Sequence, residues 1–71
     1  MTVGQRIREA RDARGWSQGE LAERCGLSRP TIARIEAGQH VRMRTLEQVA
    51  RALGLTVELG TIVESPDRGV N

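Results

Sequence analysis

The chain has 71 residues with 11 basic and nine acidic side chains, so its formal net charge is only +2. This length allows one domain with a small core, and no apolar run is long enough to span a membrane. One cysteine and one histidine exclude an internal disulfide and a metal-ligand cluster, so we expect no metal or cofactor. The N-terminus lacks the charged and apolar regions of a signal peptide, so we expect a cytoplasmic protein.

The first predicted element is a helix at the N-terminus. Val3, Ile7 and Ala10 recur at helical spacing, and Gly15 follows as a stop signal. We expect this apolar stripe to face the core. Arg11 falls on an inward-leaning face of the same helix, where an unpaired charge is costly.

The second predicted helix begins near Gln18 with a complete start signal. Ser17 is placed to cap the helix, and Glu20, three residues later, completes a capping box. Gly26 is expected to end the helix, because a left-handed cap costs glycine least. We therefore predict a short helix between these signals.

The third predicted helix follows after a single linking residue, Leu27. Ser28 is placed to cap it, and Pro30 is tolerated in its first turn, where the missing N–H costs little. Ile32 and Ile35 are expected to anchor this helix on the core. The side chains left outward at its N-terminal end are hydrogen-bonding and small apolar groups.

These two short helices have the pattern of a helix-turn-helix unit. Leu21 and Cys25 lie one turn apart on a buried face, and Ala22 between them leaves room for another helix to approach closely. Cys25 is therefore predicted to be a core residue and not a reactive thiol. Two such helices crossing at a steep angle are typical of DNA-binding proteins.

A fourth helix is predicted from an apolar stripe that ends at Gly54. Its members, at positions i, i+3, i+4 and i+7, are Leu46, Val49, Ala50 and Leu53. We interpret this stripe, like that of the first helix, as core and not as a cofactor-binding surface.

Residues 55–63 alternate in polarity and are rich in β-branched side chains, which is typical of a strand. One strand in an otherwise helical chain has no partner within the chain, so we predict that two copies pair across a two-fold axis. The interface of that homodimer is predicted to contain Leu55, Val57, Leu59 and Ile62. Residues 65–71 have the composition of a flexible tail.

Positive charge is concentrated in the middle of the chain. Residues 24–51 hold six arginines against two glutamates, whereas residues 58–71 hold three acids against one arginine. All 11 basic residues are arginine, which suits forked contacts to phosphate and guanine, although genomic base composition explains it equally well. Because Trp16 is the single aromatic residue, the chain lacks a stacking platform, which favours duplex DNA over RNA.

Residues 14–22, 28–38 and 46–54 together resemble the Cro and C1 repressor family of helix-turn-helix proteins, also called the XRE-like family. The resemblance covers residues 3–55. It implies an all-α, four-helix lambda-repressor-like DNA-binding domain over residues 1–55. For residues 56–71 the residue pattern, and not the resemblance, predicts one C-terminal β-strand and a tail. The strand departs from the family, in which a fifth helix commonly follows.

The resemblance also implies a salt bridge between Arg11 and Glu36 that joins the first and third helices. Two solvated surface charges are the alternative.

The outward face of the third helix is predicted to meet DNA. Arg29 and Arg34 each suit a forked pair with guanine, and Gln18 is placed to hold a phosphate. By resemblance, Arg42 and Arg44 meet the sugar-phosphate backbone or the minor groove, with solvated arginines as the alternative. The full predicted set is Gln18, Ser28, Arg29, Pro30, Thr31, Ala33, Arg34, Arg42 and Arg44, in which Thr31 touches phosphate and Pro30 and Ala33 give apolar contact.

The predicted function is that of a sequence-specific regulator of transcription, a dimeric repressor that reads the major groove of double-stranded DNA with the helix at residues 28–37. A helical domain followed by a short strand also resembles, more weakly, the antitoxins of some toxin-antitoxin operons. The alternative is therefore an antitoxin that neutralises a toxin protein and regulates its own operon, with residues 65–71 as a toxin-binding segment instead of a tail. The sequence speaks against an enzyme, because it has no nucleophile-base constellation, phosphate loop or paired acid cluster.

Overall fold

The computed structural model describes residues 2–58 and 61–64 and contains four helices followed by two strands. The helices are α1 (Val3–Ala13), α2 (Gln18–Cys25), α3 (Arg29–Glu36) and α4 (Met43–Ala52), and the strands are β1 (Leu55–Glu58) and β2 (Thr61–Glu64). The four predicted helices are therefore confirmed.

None of the helices in the described part of the chain is both long and apolar enough to cross a membrane.

The start and stop signals of α2 behave as predicted. The Glu20 N–H donates to Ser17 Oγ at 3.0 Å, and the Ser17 N–H donates to Glu20 Oε1 at 2.8 Å, which completes the capping box. Gly26 ends the helix at φ +72°, a left-handed backbone conformation that residues with a side chain rarely adopt. Both ends of α2 are therefore fixed by residues next to it in sequence.

The start of α3 differs from the prediction in one respect. Ser28 occupies the N-cap position, but its side chain accepts no hydrogen bond from the helix backbone. Its hydroxyl instead lies 2.9 Å from that of Thr31, and one of the two donates a hydrogen bond to the other. The predicted side-chain cap at Ser28 is therefore wrong, although Pro30 does lie in the first turn as expected.

The core collects buried side chains from all four helices. It contains the predicted apolar residues Ile7, Leu21, Ala22, Cys25, Ile32, Ile35, Val49, Ala50 and Leu53. Cys25 is only 7% exposed, and burial raises the pKa of its thiol, so it packs as a small neutral side chain. A core shared by four helices holds α2 and α3 at a fixed angle.

Two polar contacts attach α4 to the rest of this core. Arg14, just beyond α1, donates to the carbonyl of Leu53 at 2.8 Å and to that of Ala10 at 3.2 Å. The side-chain amide of Gln48 donates to the carbonyl of Cys25, the last residue of α2. The helix-turn-helix unit thus rests on α1 and α4 as a rigid support.

The C-terminal segment forms β structure as predicted, but it contains two strands where we expected one. β1 pairs with β2 in antiparallel register, with Leu55 opposite Glu64 and Glu58 opposite Thr61. The expectation that a strand here has no partner within the chain is therefore wrong. The signal that was missed is Gly60, because a glycine within a run of β-branched residues can mark a break between two strands.

Of the four residues predicted for a dimer interface, Leu55 and Val57 are half-buried against the core of their own chain. Leu59 and the side chain of Ile62 lie outside the described residues, as does the segment 65–71 predicted to be a flexible tail.

Candidate nucleic-acid interface

The turn between α2 and α3 is fixed by main-chain hydrogen bonds. The N–H of Leu27 donates to the carbonyl of Ala22 at 2.9 Å, and that of Gly26 donates to the carbonyl of Glu23 at 3.3 Å. Leu27 itself is half-buried against the core. These contacts place α3 at a set angle to α2, which is what a recognition helix needs to enter a groove.

Helix α3 presents its predicted contact residues on one side. Arg29, Pro30 and Arg34 are exposed, Thr31 and Ala33 are half-buried, and the opposite side of the helix is buried through Ile32 and Ile35. Within residues 2–58 and 61–64, neither Arg29 nor Arg34 forms an ion pair. Their guanidinium groups therefore keep their donors for a ligand.

A groove beside α3 brings together side chains from two parts of the chain. Arg34 of α3 and Arg42, the N-cap residue of α4, both line it. The complete lining is Thr31, Arg34, His40, Val41, Arg42, Met43 and Thr45. Arg44 is exposed but does not line this groove. The groove thus brings together two arginines, one from α3 and one from the start of α4.

Sequence reasoning missed three residues of this groove, Val41, Met43 and Thr45. Met43 is 51% exposed, and it is the one exposed large apolar side chain among the described residues. Its only sequence signal was its place outside the apolar stripe of α4, and Thr45 had none. His40, which the sequence left unassigned, also lies in the groove lining.

A network of charged and polar groups joins the three helices behind this face. Arg11 Nε donates to Glu36 Oε2 at 2.7 Å, and Arg11 Nη2 donates to Glu36 Oε1 at 2.9 Å. The side chains are 10% and 5% exposed, so this forked pair is largely withdrawn from water. Arg11 Nη1 also donates to the carbonyl of Trp16 at 2.8 Å, which ties the entry to α2 into the same network.

The ionisation of this pair follows from its surroundings. Burial by itself would raise the pKa of Glu36, but the hydrogen bonds from Arg11 and Gln18 and the positive charges of Arg11 and Arg8 outweigh it, so the pKa lies below its usual value. The hydrogen bond to Glu36 raises the pKa of Arg11, although burial opposes it. Both groups are therefore charged at neutral pH.

Gln18 lies in this network rather than standing free on the surface. Its Nε2 donates to Glu36 Oε1 at 3.1 Å, and the residue is half-buried. The sequence placed Gln18 at the start of α2 for contact with a phosphate, and the structure does place it there as the first residue of the helix. The bond to Glu36 was missed, because the two residues are 18 positions apart in the chain.

Comparison with known proteins relates most of the chain to one kind of domain. Residues 7–59 match the family model described as helix-turn-helix. Over 58 residues the chain is 48% identical to the immunity repressor protein of Bacillus phage phi105, which covers 80% of this chain and 40% of that protein. This chain thus spans well under half the length of the phage repressor.

Two further relatives are similar over much of their own length. The chain is 47% identical over 49 residues to a protein of Methanothermobacter thermautotrophicus described as an uncharacterized HTH-type transcriptional regulator, covering 68% of this chain and 71% of that one. The crystal structure of SinR, the master regulator for biofilm formation, in complex with DNA superposes with a TM-score of 0.66 at 33% identity. That match covers 73% of this chain and 86% of the SinR chain.

Proposed function

Because this chain belongs to the helix-turn-helix family of the Cro and C1 type, as its sequence resemblance predicted, we propose that it is a repressor of transcription that binds double-stranded DNA. Its α3 reads base edges in the major groove, and α2 lies across the sugar-phosphate backbone. The solved relative described above is a regulator in complex with DNA, which supports this proposal.

The observation that carries the assignment of α3 is that Arg29 and Arg34 are exposed and form no ion pair with any described residue, on a helix whose other side is buried. Forked donors at these two positions match the paired acceptors of guanine, and each such contact contributes about 1 to 3 kcal/mol of discrimination. Thr31, next to them, is half-buried and suits a phosphate.

Further contacts to the backbone of the DNA come from residues outside α3. Arg42 lines the same groove as Arg34, so it is placed to hold a phosphate while Arg34 reads a base. Arg44, the second residue of α4, is exposed and adds positive charge beside this groove. Gln18 at the start of α2 holds a phosphate on the other side of the unit.

The repressor is proposed to act as a homodimer, but for a different reason from the one given by the sequence. β1 has its partner in β2, so an unpaired strand no longer demands a second copy. What supports a dimer is that two helix-turn-helix units one DNA turn apart read a palindromic operator. A two-stranded hairpin is also marginally stable by itself and gains from further packing. Sedimentation at micromolar concentration tests it, and a monomer in the presence of operator DNA would contradict it.

The antitoxin alternative and the expected absence of enzyme activity both stay predictions. The relatives described above are repressors and regulators, so the antitoxin alternative gains no support from them.

A binding titration tests the main proposal. The purified protein is titrated against the DNA upstream of its own gene and against a scrambled duplex of equal length, at two salt concentrations. We expect a large preference for the upstream DNA that persists at the higher salt concentration, because base contacts depend little on released counterions. Equal and strongly salt-dependent binding to both duplexes would contradict the proposal.

A further inference from the structure

Glu36, at the C-terminal end of α3, lies where three helices of the interface meet. Its Oε2 accepts from Arg11 Nε at 2.7 Å, and its Oε1 accepts from both Arg11 Nη2 at 2.9 Å and Gln18 Nε2 at 3.1 Å. The side chain of Glu36 is 5% exposed. One carboxylate therefore ties the end of the recognition helix to α1 and to the first residue of α2.

The hydrogen bond to Glu36 restricts the side chain of Gln18. A glutamine with a free amide samples many rotamers and loses that freedom when it binds a ligand. The Gln18 amide nitrogen has two hydrogens, so one remains after the bond to Glu36 is made. Gln18 also begins α2, where the first main-chain N–H groups have no partner within the helix. The restrained Gln18 amide thus lies beside main-chain N–H groups at the start of α2 that can donate to a phosphate.

Arg11 removes an obstacle to this arrangement. A carboxylate near the DNA backbone would repel phosphate, but the guanidinium of Arg11 forms a forked pair with the same two oxygens. The charge of Glu36 is thereby balanced inside the protein. Glu36 accepts from Gln18 without presenting a net negative charge to a ligand.

We propose that Glu36 is a positioning residue for DNA binding, which holds the Gln18 amide in the orientation that meets a backbone phosphate. The proposal rests on the proposed function, because it assumes that α2 lies against DNA. Glu36 touches no DNA itself and acts through Gln18. The Arg11–Glu36 pair then has two roles: it joins α1 to α3, and it prepares the phosphate contact of α2.

A double-mutant cycle on DNA affinity separates this role from a purely structural one. The variants are Gln18→Ala, Glu36→Gln and the double variant, and their affinities are measured on the scrambled duplex, where phosphate contacts dominate. We expect Gln18→Ala to weaken binding about tenfold without changing the salt dependence, since glutamine carries no charge. Glu36→Gln should weaken binding in the presence of Gln18 and add nothing to Gln18→Ala. If the loss of affinity in the double variant equals the product of the losses in the two single variants, the proposal is overturned.

A second measurement needs no change at Glu36, whose replacement also disturbs folding. The side-chain amide of Gln18 is followed by NMR relaxation in the unaltered protein, with the exposed Gln39 as the control. We expect the Gln18 amide to be as rigid as the backbone before DNA is added, and the Gln39 amide to be mobile. A Gln18 amide as mobile as that of Gln39 would overturn the proposal.

The outcomes also separate this proposal from the proposed function. Equal affinity for upstream and scrambled DNA would contradict sequence-specific repression but leaves the cycle on the scrambled duplex intact. Conversely, multiplicative losses in the cycle would remove the positioning role of Glu36 while the preference for upstream DNA stays.

Discussion

The main chain of Gly4 in α1 lies against the carbonyl oxygen of Ile35 in α3, with no room between them for a side chain. A β-carbon at Gly4 would collide with that oxygen and would stand 2.9 Å from the carbonyl oxygen of Glu36. Both obstacles are main-chain atoms, which cannot turn aside as a flexible side chain can. The end of the recognition helix is therefore seated directly on the backbone of α1.

Replacing Gly4 with alanine is expected to destabilise the protein by about 1 to 3 kcal/mol, because α3 must shift to admit the methyl group. In most helices the same change stabilises by about 0.5 to 1 kcal/mol, so the sign of the effect is diagnostic. Urea unfolding measures it. Gly19→Ala in α2 is the matched control, since a β-carbon there meets only Ser17 Oγ at 3.7 Å. A Gly4→Ala protein as stable as Gly19→Ala would contradict the close approach.

Local signals in the sequence were enough to predict the helices that form the interface. Ser17, Glu20 and Gly26 act within one turn of their own chain, so their roles follow from spacing alone. The stripes of α1 and α4 likewise follow from periodicity, because an apolar face must be buried wherever its partner comes from.

Contacts between distant parts of the chain were not predictable in the same way. Gln18 meets Glu36 across 18 positions and Gln48 meets Cys25 across 23, and both pairings depend on how the helices pack. Gly4 carried a weak signal, as a glycine inside a helical pattern often marks a close approach. The Arg11–Glu36 salt bridge was expected because the family resemblance implies it. The spacing of the two residues in the sequence does not show that they are in contact.

Gln48 is expected to stabilise the turn of the helix-turn-helix unit from α4. Its amide donates to the carbonyl of Cys25, one of the carbonyls at a helix end that have no partner within the helix. Gln48→Ala should therefore cost about 1 kcal/mol of unfolding free energy. Gln48→Glu should cost more, because a carboxylate cannot donate and adds negative charge at the negative end of α2.

Thermal and urea unfolding of the Gln48 variants measure these costs. The control is Gln39→Ala, an exposed glutamine whose loss should change stability by less than about 0.5 kcal/mol. If the Gln48→Glu protein were as stable as wild type, the amide would not be the donor.

The free energy of unfolding is expected to fall in acid as Glu36 becomes protonated. Although burial opposes it, hydrogen bonding from Arg11 and Gln18 lowers the pKa of Glu36 in the folded state. The unfolded chain therefore takes up the proton first as the pH falls. The stabilisation is fully present above the unfolded pKa of about 4.5 and is lost as the pH falls through the lower pKa of the folded state.

Unfolding free energies measured between about pH 5 and pH 3 test this expectation. Glu36→Gln should be less stable at neutral pH but lose less stability on acidification. Glu20→Gln is the control, since glutamine also completes a capping box and leaves Glu36 in place. Hydrogen bonds from Ser17 lower the pKa of Glu20 as well, so part of the acid dependence should remain in Glu36→Gln. Identical acid dependence in Glu36→Gln and wild type would contradict the role of Glu36.

Replacing Arg34 with alanine and replacing Arg44 with alanine are expected to change DNA binding in different ways. Arg34 lies on the outward side of α3 and lines the groove that Arg42 also borders, so its loss should relax base preference at one position of each half-site, by about 1 to 3 kcal/mol. Arg44 lies outside that groove, and its loss should weaken binding to every duplex and lower the salt slope by about one. The measurement compares affinities for upstream DNA, singly substituted duplexes and a scrambled duplex at several salt concentrations.

The control for this comparison is Arg51→Ala, which removes the same charge beside the hairpin residues Leu55 and Val57. It should leave base preference unchanged and alter the salt slope less than Arg44→Ala, because charge far from the DNA releases few counterions. Equal losses on specific and scrambled DNA for both Arg34→Ala and Arg44→Ala would contradict these roles. A helix that reads bases must lose discrimination between sequences when its forked donor is removed. Equal losses would therefore mean that α3 binds DNA only through its positive charge.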